Sequence, residues 1–382
     1  MIVHGFHFTQ KRLNSLLSAA DLDIVILALH VLLRPSQQYS SQHSVSHALS
    51  ISTTRLQSLA KRWPHLREHG IGLLELTTDR NEDVEGVPLE AKEVNFIFYR
   101  TDSSSGEKKT EYAAETSSSS PLKPTTPAPS SNSVQIRLDE ETVNAQPVTN
   151  VLADTIQTYS IPESEHFELL CRIRAAVSLS PGKKSEREKL LITRLLAIAI
   201  YGHTHMESQA TSALFLYEPD LIAHIAELLH ADQGVPIAVQ TAAIAALDAL
   251  ARYKSKVQEV LTAINAGVNH GILLALVRNM VIEVADPDSR LPHSFVEALL
   301  SFIMYLASHA SGGNMVVSAG LIPLLVQIIE NKNPNRLLVI SKTMQLVDNV
   351  IYSFTNAFSL FCAARGVEIL VERIGVRFAQ HH

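Results

Sequence analysis

Apolar residues recur at helical spacing over the first 60 residues of the chain. Three clusters carry the pattern: Leu13, Leu16 and Leu17; Ile24, Leu27, Ala28 and Val31; and Leu56, Leu59 and Ala60. Within each cluster the residues are spaced so that they share one face of a helix, which predicts three short helices between Thr9 and Trp63. Proline has no amide hydrogen to donate inside a helix, so Pro35 is expected to end the second one.

The pattern changes between residues 93 and 143. Residues 94–99 read Val-Asn-Phe-Ile-Phe-Tyr and residues 134–138 read Val-Gln-Ile-Arg-Leu, so β-branched and aromatic residues dominate both. Such segments are typical of strands, and these two are expected to pair as a β-hairpin. Between them, residues 102–133 contain 18 Ser, Thr or Pro out of 32. This segment has too little apolar area to offset the entropy of ordering it, so we expect a disordered loop.

Beyond residue 144 a leucine-rich phrase occurs four times. The copies are aligned on the following residues: Asp220, Gly267, Gly320 and Gly366, which are 47, 53 and 46 residues apart. These offsets lie at or slightly above the period of about 40 to 47 residues that is typical of armadillo and HEAT repeats. In the three copies that have it, the glycine would end one helix, and in all four copies the leucine-rich phrase would form the next helix. The alanine-rich helix around residues 239–251 would let neighbouring repeats pack closely.

These patterns predict an all-α fold, an armadillo/HEAT-like superhelical solenoid with one inserted β-hairpin that carries a disordered loop. Residues 1–92 would form an N-terminal helical segment. Residues 93–143 would form the hairpin with its Ser/Thr/Pro-rich loop at 102–133, and residues 144–382 the armadillo-like repeats.

Composition and charge exclude several functional classes. The chain has 382 residues, of which 46% are hydrophobic and 18% charged, and this content excludes global disorder. A formal charge of −6, from 32 basic and 38 acidic residues, argues against nucleic acid as a primary ligand.

Location can also be inferred from the sequence. The longest apolar run, residues 22–33, is shorter than the roughly 20 residues that cross a bilayer, and residues 1–8 lack the pattern of a secretory signal. Only two cysteines occur and no Asn-x-Ser/Thr site is present. We therefore expect no membrane association and a cytoplasmic and/or nuclear location.

One histidine motif resembles a metallopeptidase signature. Residues 65–69 read His-Leu-Arg-Glu-His, the order in which a long helix presents two zinc ligands and a general base. Pro64 and Gly70 enclose only these five residues, so a solvated turn is the favoured interpretation. His43 and His47 have no third ligand nearby, and His203 and His205 are expected at the polar end of a helix.

Two further patterns could suggest catalysis. Residues 181–185 read Pro-Gly-Lys-Lys-Ser, but Val177 stands where a P-loop needs its first glycine. Cys171 and Cys362 lie in apolar helical phrases, where a small buried thiol is the common outcome. The sequence therefore predicts no catalytic residue, no bound cofactor and no metal site.

Several phrases together resemble one protein family. They are residues 32–40 (Leu-Leu-Arg-Pro-Ser-Gln-Gln-Tyr-Ser), 62–64 (Arg-Trp-Pro), 72–76 (Gly-Leu-Leu-Glu-Leu), the strand at 94–100 and the repeat at 266–273. In collinear order they resemble the N-terminal armadillo-like region of giant HECT-type E3 ubiquitin ligases of the Huwe/Tom group, in a fungal form. The resemblance implies a non-catalytic scaffold segment that binds ubiquitination substrates or other protein partners and continues into the remainder of the ligase solenoid.

The same resemblance implies where catalysis would occur. In that family a cysteine of a C-terminal HECT module accepts ubiquitin as a thioester. Neither cysteine of this chain lies in such a context, so we expect no HECT module and no enzymatic activity in the chain itself. The parent protein would be a ubiquitin-protein transferase.

A stand-alone armadillo adaptor that binds extended peptides is the alternative. Nuclear-import armadillo proteins, which this repeat resembles, hold peptide backbones with a ladder of asparagines. Alignment of the third helices puts Arg252, Ser308 and Asn349 at the ladder position. Only Asn349 keeps the asparagine type, whose side-chain amide offers a donor and an acceptor to a peptide backbone, so packing or capping is the favoured role for each residue.

The predicted loop contains two candidate modification sites. Ser120 and Thr126 each precede a proline, which is the pattern that proline-directed kinases modify. Each phosphate would add about −1.5 to −2 charges at pH 7 and could recruit or repel a partner. The other interpretation is that the loop is a passive spacer.

Overall fold

The computed structural model describes most of the chain. The described residues are 12, 15–39, 53–62, 72–77, 93–99, 133–180, 182–204 and 213–379. Ser120 and Thr126, and all but the last residue of the loop predicted at 102–133, lie outside them, as do residues 65–69, His43, His47 and His205.

The described residues are mostly helical, as the apolar spacing predicts. Helices α1 to α9 are Leu22–Tyr39, Thr53–Ala60, Glu140–Ala145, Val148–Tyr159, His166–Ser178, Lys184–Thr204, Ala213–Tyr217, Leu221–Glu227 and Ile237–Ala251. Helices α10 to α17 are Val257–Ala263, Ile272–Ala285, His293–Ala307, Ala310–Ser318, Leu321–Glu330, Leu337–Ser353, Thr355–Ala363 and Gly366–Ala379. Strands β1 and β2 are Glu93–Tyr99 and Ser133–Asp139.

Helix α1 continues through Pro35, so the expectation that this proline ends the helix is wrong. Proline at this position costs one backbone hydrogen bond, and the helix continues for only four residues beyond it. The buried Ser36 hydroxyl donates to the Leu33 carbonyl at 2.6 Å, which satisfies an acceptor near the interruption. Leu29 and Leu32 are buried, and α1 packs along α6.

The two strands pair antiparallel, with Glu93 opposite Asp139 and Tyr99 opposite Ser133. Phe98 and Ile136 are almost fully buried and belong to a small apolar core that also includes Leu169 and Ile173 of α5. The strands therefore lie against the helices that follow them. In β2 buried residues alternate with exposed ones, which is the pattern of a strand with one covered face.

The repeated phrase forms helices α8, α11, α14 and α17, which begin 51, 49 and 45 residues apart. This spacing is more even than the sequence offsets because Gly271, four residues after Gly267, immediately precedes α11. Gly320 precedes α14 with φ of 105°, a conformation that disfavours any side chain.

The long helices pack in series. Helix α6 contacts α9, α9 contacts α12, and α12 contacts α15. At the first of these interfaces Gly202 lies directly against Ala249 of α9, so the two backbones approach closely. A single cluster of buried apolar residues extends from Leu17 to Ile369 and runs through all of these layers. Each layer thus buries its apolar face against its neighbours in the sequence.

Candidate functional site

The three predicted ladder residues occupy different positions along their helices. Arg252 and Ser308 immediately follow the last residues of α9 and α12, whereas Asn349 lies within α15, four residues before its end. The Ser308 hydroxyl donates to the Tyr305 carbonyl at 2.6 Å, and Asn349 is exposed. Ladder-type peptide binding at these three positions stays a prediction.

Arg252 joins two neighbouring layers. Its guanidinium donates to both carboxylate oxygens of Asp248 at 3.0 and 3.2 Å and lies over the Tyr305 ring, 4.3 Å from the ring centre. The Tyr305 hydroxyl in turn donates to the Ala251 carbonyl at 3.4 Å. A planar cation can make both contacts at once, so Arg252 links α9 to α12.

His203 of α6 completes this polar cluster from the other side. Its side chain is fully buried, and its Nε2 lies 3.7 Å from Oδ2 of Asp248. Burial, together with the nearby Arg252 charge, lowers the pKa of His203 to about 3. Burial also raises the pKa of Asp248, which the Arg252 charge partly opposes. The imidazole is therefore neutral at physiological pH.

A second buried ion pair ties the N-terminal helices to the repeats. Arg194 of α6 donates to a carboxylate oxygen of Glu218, and their side chains are 2% and 5% exposed. The Arg194 Nε also donates to the Ala60 carbonyl at the end of α2, at 3.1 Å. The other Glu218 oxygen lies 3.5 Å from Nδ1 of His224. These contacts hold α2, α6 and the start of α8 together.

Other arginines satisfy carbonyls at helix ends in adjacent layers. Arg336, which precedes α15, donates to the carbonyls of Asp286 and Ser289, both at 3.0 Å, beyond the end of α11. Arg373 of α17 donates to the Ile329 carbonyl at 2.6 Å and to the Asn331 carbonyl, at the end of α14. The carbonyls at a helix C-terminus carry partial negative charge, so cations there stabilise the helix end.

The two cysteines differ in their environments. Cys171 is partly buried on α5, and burial raises the pKa of its thiol to about 12. Such a thiol is not a nucleophile near neutral pH. Cys362 is exposed on α16, so the expectation that it would be buried is wrong. Helix α16 is apolar on only part of its surface, and Cys362 lies on the face that is exposed to solvent.

Within the described ranges, no group of three or more His, Cys, Asp or Glu side chains is arranged to hold a metal ion. No single described helix is both long and apolar enough to cross a membrane. Helices α12 and α13 together meet the length and composition criteria, but they are bent by 116° relative to each other.

Exposed apolar side chains concentrate at the last three helices. They include Tyr352, Phe358, Val367, Val371 and Ile374, with exposed fractions of 93, 54, 42, 63 and 58%. Val367, Val371 and Ile374 are spaced so that they share one face of α17. A contiguous exposed face of this kind is typical of a surface that another element covers.

Comparison with known domain families gives the family of this protein. Residues 10–282 match the family described as Domain of Unknown Function (DUF908), and residues 341–382 match Domain of Unknown Function (DUF913). This chain belongs to the DUF908 family. The first match extends from before α1 into α11, and the second begins within α15.

Curated relatives of the chain are E3 ubiquitin ligases. The chain is 27% identical over 240 residues to "E3 ubiquitin-protein ligase ptr1" of Schizosaccharomyces pombe, which covers 63% of this chain and 7% of that protein. It is 25% identical to "E3 ubiquitin-protein ligase UPL1" of Arabidopsis thaliana, over 97% of this chain and 9% of the relative. It is also 25% identical to "E3 ubiquitin-protein ligase HUWE1" of Mus musculus, over 95% of this chain and 8% of the relative.

The chain thus spans less than a tenth of the length of these relatives. The resemblance to the Huwe/Tom group of ligases is confirmed. The relatives come from a fungus, a plant and a mammal, so a fungal origin of this chain stays a prediction.

Proposed function

We propose that this chain is a non-catalytic scaffold segment of an E3 ubiquitin ligase, and that it binds ubiquitination substrates or other protein partners. The observation that carries the proposal is the serial packing of α6, α9, α12 and α15 around one continuous core. Such packing supports an armadillo/HEAT-like superhelical solenoid, an architecture that offers long surfaces for protein binding. The relatives supply the ubiquitin context.

The chemistry of the described cysteines supports a non-catalytic role. Ubiquitin transfer through a thioester needs an accessible thiolate. The Cys171 thiol has a pKa raised to about 12, and Cys362 lies exposed on the surface of α16 with no acid–base group bonded to it among the described residues. Catalysis would then reside in another part of a longer ligase, in the cytoplasm and/or nucleus.

The apolar face of α17 is where the remainder of the ligase solenoid would pack. Val367, Val371 and Ile374 lie on this face, inside the segment that matches DUF913. A following helical layer would bury them in the same way that each described layer buries its neighbour. Under this proposal the segment would be one part of a longer rod.

Two measurements test the proposal. The first asks whether the chain itself accepts ubiquitin, and the second asks whether a full-length ligase needs this region to modify its substrates. The purified chain is mixed with a ubiquitin-charged conjugating enzyme, and reducible adducts are measured on a gel. In parallel, the region that matches DUF908 is deleted from one of the full-length ligases that contain it. We expect no adduct on the chain, and in the deletion variant a loss of substrate ubiquitination while the ligase still forms its own thioester.

An adduct on the chain that disappears in Cys171→Ser or Cys362→Ser would overturn the proposal. Unchanged modification of every substrate by the deletion variant would overturn it as well. The Cys362→Ser variant is the sharper control because this thiol is exposed and its loss should leave the core unchanged.

A stand-alone adaptor for extended peptides is the second candidate. It is favoured by α15, where Asn349 is exposed and Tyr352, three residues later, is 93% exposed. An amide next to an aromatic ring could hold a peptide backbone and one side chain. If the chain is such an adaptor, Asn349→Ala should abolish peptide binding. If it is a ligase scaffold instead, the same substitution should leave substrate ubiquitination unchanged.

A further inference from the structure

The outward face of α1 is apolar, although α1 is the first described helix of the packed series. Its opposite side, which includes Val25 and Leu29, is buried, and α1 packs along α6. On the outward face Ile24, Leu27 and Val31 are 41, 65 and 52% exposed. They are spaced three and four residues apart, so they form one stripe along the helix. The outer face of a terminal layer is normally polar, so this stripe is typical of a surface that a further element covers.

The charges at the start of α1 are mainly negative. Asp23 lies beside the apolar stripe, is 64% exposed and pairs with Lys189 of α6 at 2.6 Å. The hydrogen bond that Lys189 donates to Asp23 raises the pKa of the Lys189 amine, and the charges of Asp21 and Glu186 add to this effect. Three carboxylates therefore surround one ammonium, which leaves a net charge of −2 among these four groups.

The charges near the end of α1 are mainly positive. His30 and Arg34 are exposed on the same side of the helix as Asp23. Arg34 is close enough to Glu297 of α12 for its charge to act on that carboxylate, but Glu297 already accepts a hydrogen bond from Lys342. Two permanent cations thus face one carboxylate, which leaves a net charge of +1 among these three groups.

This distribution makes the face complementary to a second copy of itself. In a symmetric antiparallel pair of helices with its two-fold axis beside Leu27, Ile24 of one copy lies opposite Val31 of the other. The two Leu27 side chains then meet close to the axis. On the other flank of the stripe, Asp23 lies between the positions of His30 and Arg34 of the second copy. The negative start of each helix therefore meets the positive end of the other, whereas a parallel pair would bring like charges together.

We propose that the outward face of α1 binds the same face of a second copy of this chain in an antiparallel pair. Ile24, Leu27 and Val31 form the apolar contact, and Asp23 and Arg34 of opposite copies form an ion pair at each end. Each copy contributes one helix face, so the interface is small and should have a dissociation constant of about 1 to 100 µM. The proposal goes beyond the ligase function and does not rest on it.

The first test is sedimentation velocity of the whole chain between about 1 and 200 µM, a range that brackets the expected dissociation constant. We expect a shift from monomer to dimer as the concentration rises. Leu27→Asp puts two carboxylates near the two-fold axis and should weaken the dimer at least tenfold. The matched control is Leu338→Asp, which replaces an aliphatic residue that is 54% exposed on α15 and should dimerise within twofold of the wild type.

An exchange of charges tests the ion pairs. Arg34→Glu should weaken the dimer because the new carboxylate would face Asp23 of the second copy. The double variant Asp23→Arg/Arg34→Glu reverses both ends and should dimerise again, although it should not pair with the wild type. A loss of folding cannot explain such a recovery. The bond between Asp23 and Lys189 that the double variant loses is an exposed one, so the exchange should leave the circular dichroism spectrum unchanged.

Cross-linking tests the antiparallel register. In a Cys362→Ser background, which removes the exposed thiol, Ile24→Cys mixed with Val31→Cys should form a disulfide between copies on mild oxidation. Ile24→Cys alone should not, because the two copies of residue 24 would lie about 10 Å apart along the helix axis, beyond the reach of a disulfide. Efficient cross-linking of Ile24→Cys to itself would indicate a parallel pair and would overturn the proposal.

Other results would also overturn it. A chain that stays monomeric over the whole concentration range has no such contact, and a dimer that Leu27→Asp leaves unchanged uses another surface. If the wild type is monomeric and Leu27→Asp lowers its melting temperature, another part of the same chain covers the face. These measurements contain no ubiquitin or conjugating enzyme. Dimerisation can therefore fail while deletion of the DUF908 region still abolishes substrate ubiquitination, and the reverse is equally measurable.

Discussion

The imidazole of His203 on α6 and the carboxylate of Asp248 on α9 lie 3.7 Å apart inside the interface between these helices, with side chains that are 0 and 5% exposed. This distance is too long for a hydrogen bond. Burial disfavours the charged form of each group, and Arg252 makes the two unequal because it is bonded to Asp248 and opposes protonation of His203. The interface therefore holds a neutral imidazole beside an arginine–carboxylate pair.

This arrangement predicts acid sensitivity of the fold. The pKa of His203 is lowered from 6.5 to about 3, so the unfolded state binds a proton that the folded state excludes. The stabilisation is fully present above pH 6.5 and is lost as the pH falls below it toward 3. Between pH 7.5 and 5.5 this effect should lower the free energy of unfolding by about 1.4 kcal/mol.

Replacement of the histidine isolates this contribution. In His203→Leu the free energy of unfolding, measured by urea denaturation at pH 7.5 and 5.5, should depend less on pH than in the wild type. Asp248, whose pKa is raised, changes stability in the opposite direction as the pH falls, and it is present in both proteins. The exposed His230 is the control, and His230→Gln should keep the wild-type dependence. Equal pH dependence in His203→Leu and the wild type would contradict the expectation.

The buried Arg194–Glu218 pair should be important for the stability of the fold. In Arg194→Met, Glu218 keeps its burial but loses its cation, and we expect a loss of about 3 to 5 kcal/mol in the free energy of unfolding. In the double variant Arg194→Met/Glu218→Leu no charge is left without its partner, so more than half of the loss should be recovered. Both values follow from chemical denaturation monitored by circular dichroism.

An exposed ion pair provides the comparison for this effect. Lys189 and Asp23 lie 2.6 Å apart, but their side chains are 33 and 64% exposed. Solvent screens such a pair, so Lys189→Met should cost less than about 1 kcal/mol. If Arg194→Met were no more destabilising than Lys189→Met, the buried pair would not have the role argued for it.

Apolar spacing predicted that the chain is mostly helical, and β-branched and aromatic residues predicted the positions of the two strands. Local periodicity, which a single sequence displays, indicated that α1 is a helix but selected the wrong face: Leu27 and Val31 are 65 and 52% exposed, whereas Val25 and Leu29 are fully buried. In β2 the buried Ile136 and Leu138 carry the predicted alternation. Helix boundaries were less predictable. Pro35 lies inside α1, since packing along α6 outweighs the loss of one hydrogen bond. The extra turn that ends at Gly271 altered the alignment of the repeat.

The polar contacts could not be predicted because they join residues far apart in the chain. Arg194 lies in a leucine-rich phrase, and this unusual placement was the one available signal that its charge must be compensated inside the core. Its partners, Ala60 and Glu218, are defined only by the packing of three helices.

Gly202 tests how closely α6 and α9 must approach. A Cβ atom added at this position would lie 2.8 Å from the Cβ of Ala249 and 3.4 Å from its carbonyl carbon, and neither helix can yield locally. Alanine is normally the better helix former by about 1 kcal/mol. We nevertheless expect Gly202→Ala to destabilise the fold by about 1 to 3 kcal/mol because of overpacking.

The matched variant for this prediction is Gly267→Ala. Its added Cβ would approach only the Met315 side chain, with 3.2 Å to the flexible Cε end, so it should change the melting temperature little. Differential scanning calorimetry of both variants makes the comparison. A melting temperature for Gly202→Ala at or above that of the wild type would show that the α6–α9 interface has room that the structure does not contain.

Arg336 should stabilise the end of α11 from the neighbouring layer. Its guanidinium donates to the carbonyls of Asp286 and Ser289 at 3.0 Å and reaches the Glu283 carbonyl at 3.5 Å. Arg336→Met leaves these acceptors without their cationic donor, and we expect a loss of about 2 kcal/mol in the free energy of unfolding. Arg336→Lys should recover only part of it, because a compact ammonium cannot match the spread of a planar guanidinium.

Hydrogen exchange distinguishes this local role from a general effect of charge. Amides at the end of α11 should lose protection in Arg336→Met, whereas those of the distant α6 should change only as far as global stability falls. Lys332, an exposed residue of the same connection, gives the control, and Lys332→Met should leave protection of α11 unchanged.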